Sequence, residues 1–190
     1  MDLTALSAEA RACTRCAAEL PFGPRPTFTV FPQARLLIAS QAPGTRVHGT
    51  GIPWNDRSGD RLREWLGMDR AAFYGDPRIA VLPMGLCYPG RLKNGGDAPP
   101  RPRCAPLWHP RFRAALPDLR LTLLVGSHAQ RHYLGPGRMT DRVRGHAGYL
   151  PDFFPLPHPS WRTTFWIARN PWFAQEAIPA LRAAIACAMA

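Results

Sequence analysis

Lysine is almost absent from this chain: Lys93 is the only one, and every other basic side chain among the 24 Lys+Arg is arginine. Acids are also scarce, with 13 Asp+Glu, so the formal net charge is +11. A high-GC coding bias accounts for arginine in place of lysine but not for the shortage of acids. A field of this sign favours polyanions, nucleic acid first among them. No apolar run approaches the ~18 residues of a membrane span. The start, Met1-Asp2-Leu3-Thr4, has no basic region leading into an apolar core, so no secretory signal is apparent and a cytoplasmic location is expected. Asparagine is limited to Asn55, Asn94 and Asn170. The odd cysteine count, five, argues against a disulfide framework.

What is present begins with those cysteines. Cys13-x-x-Cys16 is a two-ligand clip, and Cys87 and Cys104 lie in a Pro/Gly-rich region. Four thiolates from two distant segments suit a Cys₄ site, filled by either a [4Fe–4S] cluster or Zn²⁺. Cys187 sits among alanines and reads as a packed or surface thiol. With 190 residues and 46% hydrophobic content, the chain is long enough for one domain over 1–190.

Periodicity predicts a helix over 3–18, an irregular proline-rich stretch over 21–33 and a buried strand over 35–40. A loop over 41–57 follows, then a helix from Gly59 to Gly67 with Ser58 as its cap. Leu62, Trp65 and Leu66 share one face of that helix. Asp69 caps a turn through Tyr74, and 79–85 form a second strand with Pro83 at its exit. Residues 87–106 are a long loop that needs a purpose, which anchoring both ends on metal would supply. A helix over 107–116, a strand over 119–125, helices over 127–134 and 138–144, and a strand over 153–157 follow. A closing helix over 171–188 has a kink or break at Pro179. The alternation implies an α/β fold, three-layer α/β/α around a central, mainly parallel four-stranded sheet. In such sheets ligands bind where strand ends, loops and helix starts converge.

Four features resemble the uracil-DNA glycosylase superfamily, particularly its iron–sulfur families 4 and 5. Gln41-Ala42-Pro43-Gly44 after a strand resembles the first catalytic motif, and His158-Pro159-Ser160 after the last strand resembles the second. The four cysteines resemble the cluster ligands in spacing and context. Asn55-Asp56-Arg57-Ser58-Gly59-Asp60 is similar to the family-5 segment with an aspartate ahead of Ser-Gly-Asp. The resemblance covers roughly residues 10–185. It implies base excision: a deaminated nucleotide is flipped into a pocket and its N-glycosidic bond is hydrolysed.

The resemblance also implies roles. Gln41 and the amides around Gly44 contact the base and the sugar–phosphate, with Ala42 where the highly active family-1 enzymes carry an aspartate. Asp56 replaces that aspartate as the water-orienting group; a helix cap is its bland reading. Asp60 competes for the label and reads better as first-turn dipole compensation. Trp54 stacks on the base, and His158 stabilises the leaving base as a neutral imidazole donor. Ser160, Trp161 and Arg162 meet DNA in the minor groove. Related enzymes place a base-reading asparagine at the end of the second strand. Here that stretch is Leu82-Pro83-Met84-Gly85-Leu86-Cys87, so backbone amides near Met84 to Leu86 are expected to read the base, with Met84 and Gly85 against it, and strict uracil specificity is not expected. The partner is DNA containing a damaged base, with the protein a monomer. The leading reading is a monofunctional glycosylase for uracil, with hypoxanthine or xanthine as further candidates. The alternative is a weak or inactive iron–sulfur protein binding damaged or single-stranded DNA.

Overall fold

Four short apolar runs build the sheet: β1 (Leu36–Ser40), β2 (Ile79–Pro83), β3 (Leu121–Val125) and β4 (Phe153–Leu156). In the computed structural model, which describes residues 2–93 and 95–190, their order is β2-β1-β3-β4 and every pairing is parallel. β1 and β3 are central, and all five residues of each are buried. An unbroken apolar run is what a strand covered on both faces requires. Pro155 falls within the edge strand β4, where a missing N–H is tolerated. The outer edge of β2 is covered by Thr29, which exchanges two backbone hydrogen bonds with Val81 at 2.9 and 2.7 Å.

The two-residue period of β1 divides the core between two helical layers. Leu36 and Ile38 pack with Leu62, Trp65 and Leu66 of α3 (Arg57–Leu66) and with Leu181 and Ile185 of α9 (Ile178–Met189). Leu37 faces the other way, towards Leu6 and Ala10 of α1 (Leu3–Arg11) and Trp108 and Phe112 of α5 (Cys104–Ala114). Ala39 and Leu124 meet Ala129 of α6 (Ser127–Leu134) further along the same sheet. Leu36, Ile38 and Leu62 have no exposed surface, so truncating any of them to alanine costs ~2–5 kcal/mol.

Several boundaries differ from the sequence expectation. α1 ends at Arg11, so the CxxC occupies the turn after a helix rather than its last turns. The stretch expected as a loop over 41–57 contains α2 (Thr45–Thr50), hidden in the sequence because only Val47 of its six residues is buried. α3 is capped by Asp56, not Ser58: Asp56 Oδ1 accepts from Gly59 N at 2.8 Å. Asp69 does cap α4 (Arg70–Gly75), accepting from Ala72 N at 2.7 Å. α5 starts at Cys104 itself, three residues before the expected helix. After α7 (Met139–Arg144), the second motif leads into α8 (Thr163–Arg169), which the sequence reading did not anticipate. The closing helix is divided into a π-helical turn, Phe173–Ala177, and α9, with Pro179 in the first turn of α9. Among the described residues, no helix is long and apolar enough to cross a membrane.

Candidate active site

The carboxyl ends of β1, β2 and β4 open into a cavity of about 500 Å³. Each strand stops there for a local reason: a proline at the end of β2, the Pro43-Gly44 turn after β1 and the His158-Pro159 step after β4. Gln41, Ala42, Trp54, Asp56, His158, Ser160, Trp161 and Arg162 all line this cavity, although they come from three separated stretches.

Trp54 is 7% exposed and belongs to the α3-side core while also facing the cavity. Its ring lies 5.7 Å from that of His158, tilted by 32°. Its φ of +58° is left-handed, a conformation costing on the order of 1–3 kcal/mol for a bulky residue. Neighbouring groups impose it. A Cβ on Gly59 would lie 1.7 Å from the Trp54 carbonyl oxygen, so only glycine admits that carbonyl against α3. Arg63, buried at 5% exposure, donates to the same carbonyl at 3.2 Å, and Tyr74 donates its hydroxyl proton to the Pro53 carbonyl at 2.9 Å.

Asp56 and Asp60 separate cleanly. Asp60 pairs with Arg63 and its side chain is 71% exposed. Asp56 lines the cavity; Oδ1 holds the cap bond, leaving Oδ2 for other partners. The histidine of the second motif is held through its backbone, since the His158 carbonyl accepts from Ser160 N at 2.8 Å and from the Thr163 hydroxyl. Burial pushes the His158 imidazole down to about 4, only partly offset by the Asp56 charge, so the ring is neutral near pH 7. Trp161 stands at the rim, 69% exposed, with the Arg162 guanidinium 5.4 Å from its ring centroid.

Two expectations at the base-reading edge are corrected. Met84 is 2% exposed and packs with Ala39 and Leu124, and Gly85 lies on the cysteine side. Neither lines the cavity, and their amides are already engaged: Met84 N donates to Ser40 O at 2.7 Å and Gly85 N to Gln41 O at 2.9 Å. Leu86 N donates to Cys104 Sγ at 3.3 Å. The amides of Met84, Gly85 and Leu86 are thus all engaged within the protein. Asn55 Oδ1 accepts from Arg70 and Asn170 Nδ2 donates to Trp166 O, while Asn94 lies outside the described residues. Gly44, expected at the sugar–phosphate, faces two carboxylates: its missing Cβ would lie 3.3 Å from Asp97 Oδ2 and 4.0 Å from Asp56 Oδ2. Such surroundings disfavour a phosphate there.

Sequence reasoning missed Asp97 and Arg91. Both line the cavity from the long loop, where Gly90 to Ala98 fold back as a small hairpin. The loop's only acid among its arginines and its lysine was the available signal.

On the other side of Gly85, Cys13, Cys16, Cys87 and Cys104 line one small pocket with Leu20, Pro26, Leu86 and Trp108. Burial pushes the Cys104 thiol up to about 12 and Cys87 to about 11, and the other three sulfurs stand close enough to Cys104 to oppose its ionisation. Among the described residues, no three histidine, cysteine, aspartate or glutamate side chains are grouped tightly enough to hold a single metal ion. The donor set nevertheless fits a thiolate-ligated centre, because four soft donors line one largely apolar pocket.

A parallel sheet whose strand ends gather a glutamine, an aromatic, a carboxylate and a neutral histidine defines an α/β protein with polar and titratable groups in a cleft at its switch point. The model of the uracil DNA glycosylase superfamily matches residues 28–182. The chain belongs to that superfamily, whose general chemistry is glycosylase hydrolysis on DNA. The matched span begins after Cys13 and Cys16.

Proposed function

We propose that this protein is a monofunctional DNA glycosylase that flips a deaminated base out of DNA and hydrolyses its N-glycosidic bond. The observation that carries this reading is the convergence of Gln41, Trp54, Asp56 and His158 on one cavity of about 500 Å³ at the strand ends. The flipped base stacks on the Trp54 face, an interaction worth ~1–3 kcal/mol that discriminates little between bases. His158, neutral for the reason given above, donates to a carbonyl oxygen of the base and stabilises the negative charge that develops as the bond breaks. Asp56 lines the cavity with Oδ2 outside the cap bond, and orients water and stabilises the oxocarbenium-like sugar. The only lysine lies in the hairpin loop, which gives no support to lyase chemistry. With no asparagine at the base edge and the β2-end amides occupied, the pocket has few strict readers of uracil, so hypoxanthine and xanthine join uracil as candidates.

Cys13, Cys16, Cys87 and Cys104 would hold a [4Fe–4S] cluster. The support is that the four thiols line one pocket; a structural zinc, which also takes four thiolates, is the alternative. When bound, such a centre supplies a structural cross-link and charge for four thiolates. The arginine-rich surface supports DNA as the partner.

The test is a panel of duplexes carrying uracil, hypoxanthine or xanthine, incubated with the protein and then treated with alkali to reveal abasic sites. Cleavage of at least one that requires His158 is expected. Cleavage of none, with salt-sensitive DNA binding retained, would replace this reading with that of a binder of damaged or single-stranded DNA. A brown protein that loses its visible absorbance on Cys13→Ser is the expected result for the cluster; a colourless zinc protein would exclude it.

A further inference from the structure

Four thiolates around a zinc ion or an oxidised [4Fe–4S] core leave a net charge of about −2. The pocket that gathers the four cysteines is otherwise mostly apolar, with Leu20, Pro26, Leu86 and Trp108 in its lining. Negative charge in such surroundings requires compensation from fixed donors and cations. One donor is in place, since Leu86 N bonds Cys104 Sγ at 3.3 Å.

Apart from the cysteines, Arg101 is the one residue of that lining with an ionisable side chain. It is half-buried, and Nη2 is tied to the backbone on both sides of the pocket. It donates to the Glu19 carbonyl, in the turn after the CxxC, and at 3.4 Å to the Pro89 carbonyl, in the loop after Cys87. The guanidinium is therefore held between the two cysteine-bearing segments. Its Nε is differently placed. Nε is buried and, among the described residues, has no hydrogen-bond partner. The Glu19 Oε2 atom is 3.9 Å away, beyond hydrogen-bond reach, and Glu19 Oε1 is taken by Arg103 at 2.6 Å. A buried N–H of a cation left without an acceptor is costly, and it points to a partner still to be supplied. Sulfur is the acceptor that this pocket offers. Arg101 and Arg103 both lie within electrostatic range of Cys16.

We propose that Arg101 stabilises the thiolate centre from outside its ligand set: its charge offsets that of the centre, and its Nε–H donates to sulfur. This role presupposes that the four cysteines ligate one centre, as proposed above. It holds for iron–sulfur and zinc alike, because both leave the same excess of negative charge, and it does not depend on the glycosylase chemistry. The planar fork explains why arginine suits the place. Nη2 can keep its two carbonyls while Nε, fixed in the same plane, serves a sulfur; an ammonium supplies the charge without that division.

Release of the metal from the protein as isolated tests this. Iron release to bathophenanthroline, or zinc release to pyridylazoresorcinol, is timed for the wild type and three variants. Arg101→Met removes the charge and the donors and is expected to release ~10-fold faster. Arg101→Lys, which keeps the charge and loses the fork, falls between the two. Glu19→Gln leaves the Glu19 carbonyl in place and releases no faster than the wild type. In an iron–sulfur protein the midpoint potential also falls in Arg101→Met, because a cation no longer favours the more negative, reduced state; a side chain that only ties two carbonyls together would leave the potential where it is. Wild-type release from Arg101→Met would overturn the proposal. So would Glu19→Gln releasing as fast as Arg101→Met, which would show that Arg101 acts through the Glu19 carboxylate. Release from Arg101→Lys at the wild-type rate would overturn the donor role, and it is measurable even if Arg101→Met does not fold. A wild type holding neither iron nor zinc would overturn the thiolate centre itself, and metal analysis of the unmodified protein separates that result from a failure of Arg101.

Discussion

Asp56 shows why residue identity alone did not decide its role. A cap and a catalyst call for the same side chain, and here Oδ1 holds the cap bond while the residue also lines the cavity. Substitution separates them. Asn caps as well as Asp, so Asp56→Asn should unfold at the wild-type urea concentration yet excise ~100-fold more slowly or worse. Asp56→Ala should lose the same activity and ~1 kcal/mol of stability besides. An Asp56→Asn protein with full activity would reduce this residue to a cap. Gly59 makes a purely steric demand. Any Cβ there meets the Trp54 carbonyl at 1.7 Å, and a backbone oxygen has no rotamer through which to escape. Gly59→Ala should cost ~3 kcal/mol or more in urea unfolding, near the severe end for single substitutions. A loss below ~1 kcal/mol would mean that Trp54 leaves its left-handed conformation easily.

Elements were legible where burial imposed a period and illegible where it did not. β1, β2 and β3 are fully buried and mostly apolar because the sheet is covered on both faces, and α3 carries its stripe at Leu62, Trp65 and Leu66. α2 and α8 have one buried residue each, so no period marked them. The hairpin over 90–98 is held by Ala98 N donating to Gly90 O at 2.8 Å and Leu92 N to Gly96 O at 3.0 Å, and composition alone says only that such a stretch is not helical. The metal-anchoring purpose expected for this loop therefore has a companion: Arg91, Gly96 and Asp97 line the cavity, and the loop's ends lie at the cysteines. Glu19, just after the CxxC, already pairs with Arg103 at 2.6 Å across the same junction. If the four thiols staple the loop, Cys13→Ser with Cys16→Ser should leave the sheet folded but open the loop to trypsin at Arg91, Lys93 and Arg103, and excision should fall as the loop residues that line the cavity are displaced. An unchanged tryptic pattern would show that packing and the Glu19 pair suffice.

At the scale of the whole molecule, buried histidines set how the fold meets acid. His109 on α5 accepts the Tyr133 hydroxyl proton at Nδ1, 2.7 Å away, and donates from Nε2 to the Pro83 carbonyl at 3.1 Å. It thereby fixes the exit of β2, at the wall of the cavity. Burial pushes it down to about 3, and the same cause pushes His158 to about 4, both from an ordinary 6.5. The unfolded chain therefore takes up these protons as pH falls through ~6.5, while the folded protein refuses them until about 4 for His158 and about 3 for His109. Across that window the unfolded state binds more protons, so stability is fully present above ~6.5 and declines as the pH drops. Each histidine adds a slope of at most ~1.4 kcal/mol per pH unit. The Glu9–Arg111 and Asp76–Arg78 pairs also weaken in acid, but their carboxyl pKa values lie below the ordinary carboxylate range, so they act at the lower end. Urea unfolding from about pH 7.5 to pH 4.5 should show a steady loss of stability, and His109→Asn should have a shallower slope whatever its absolute stability. Asparagine does not titrate, so an unaltered slope in that variant would mean that His109 takes up its proton equally in the folded and unfolded chains.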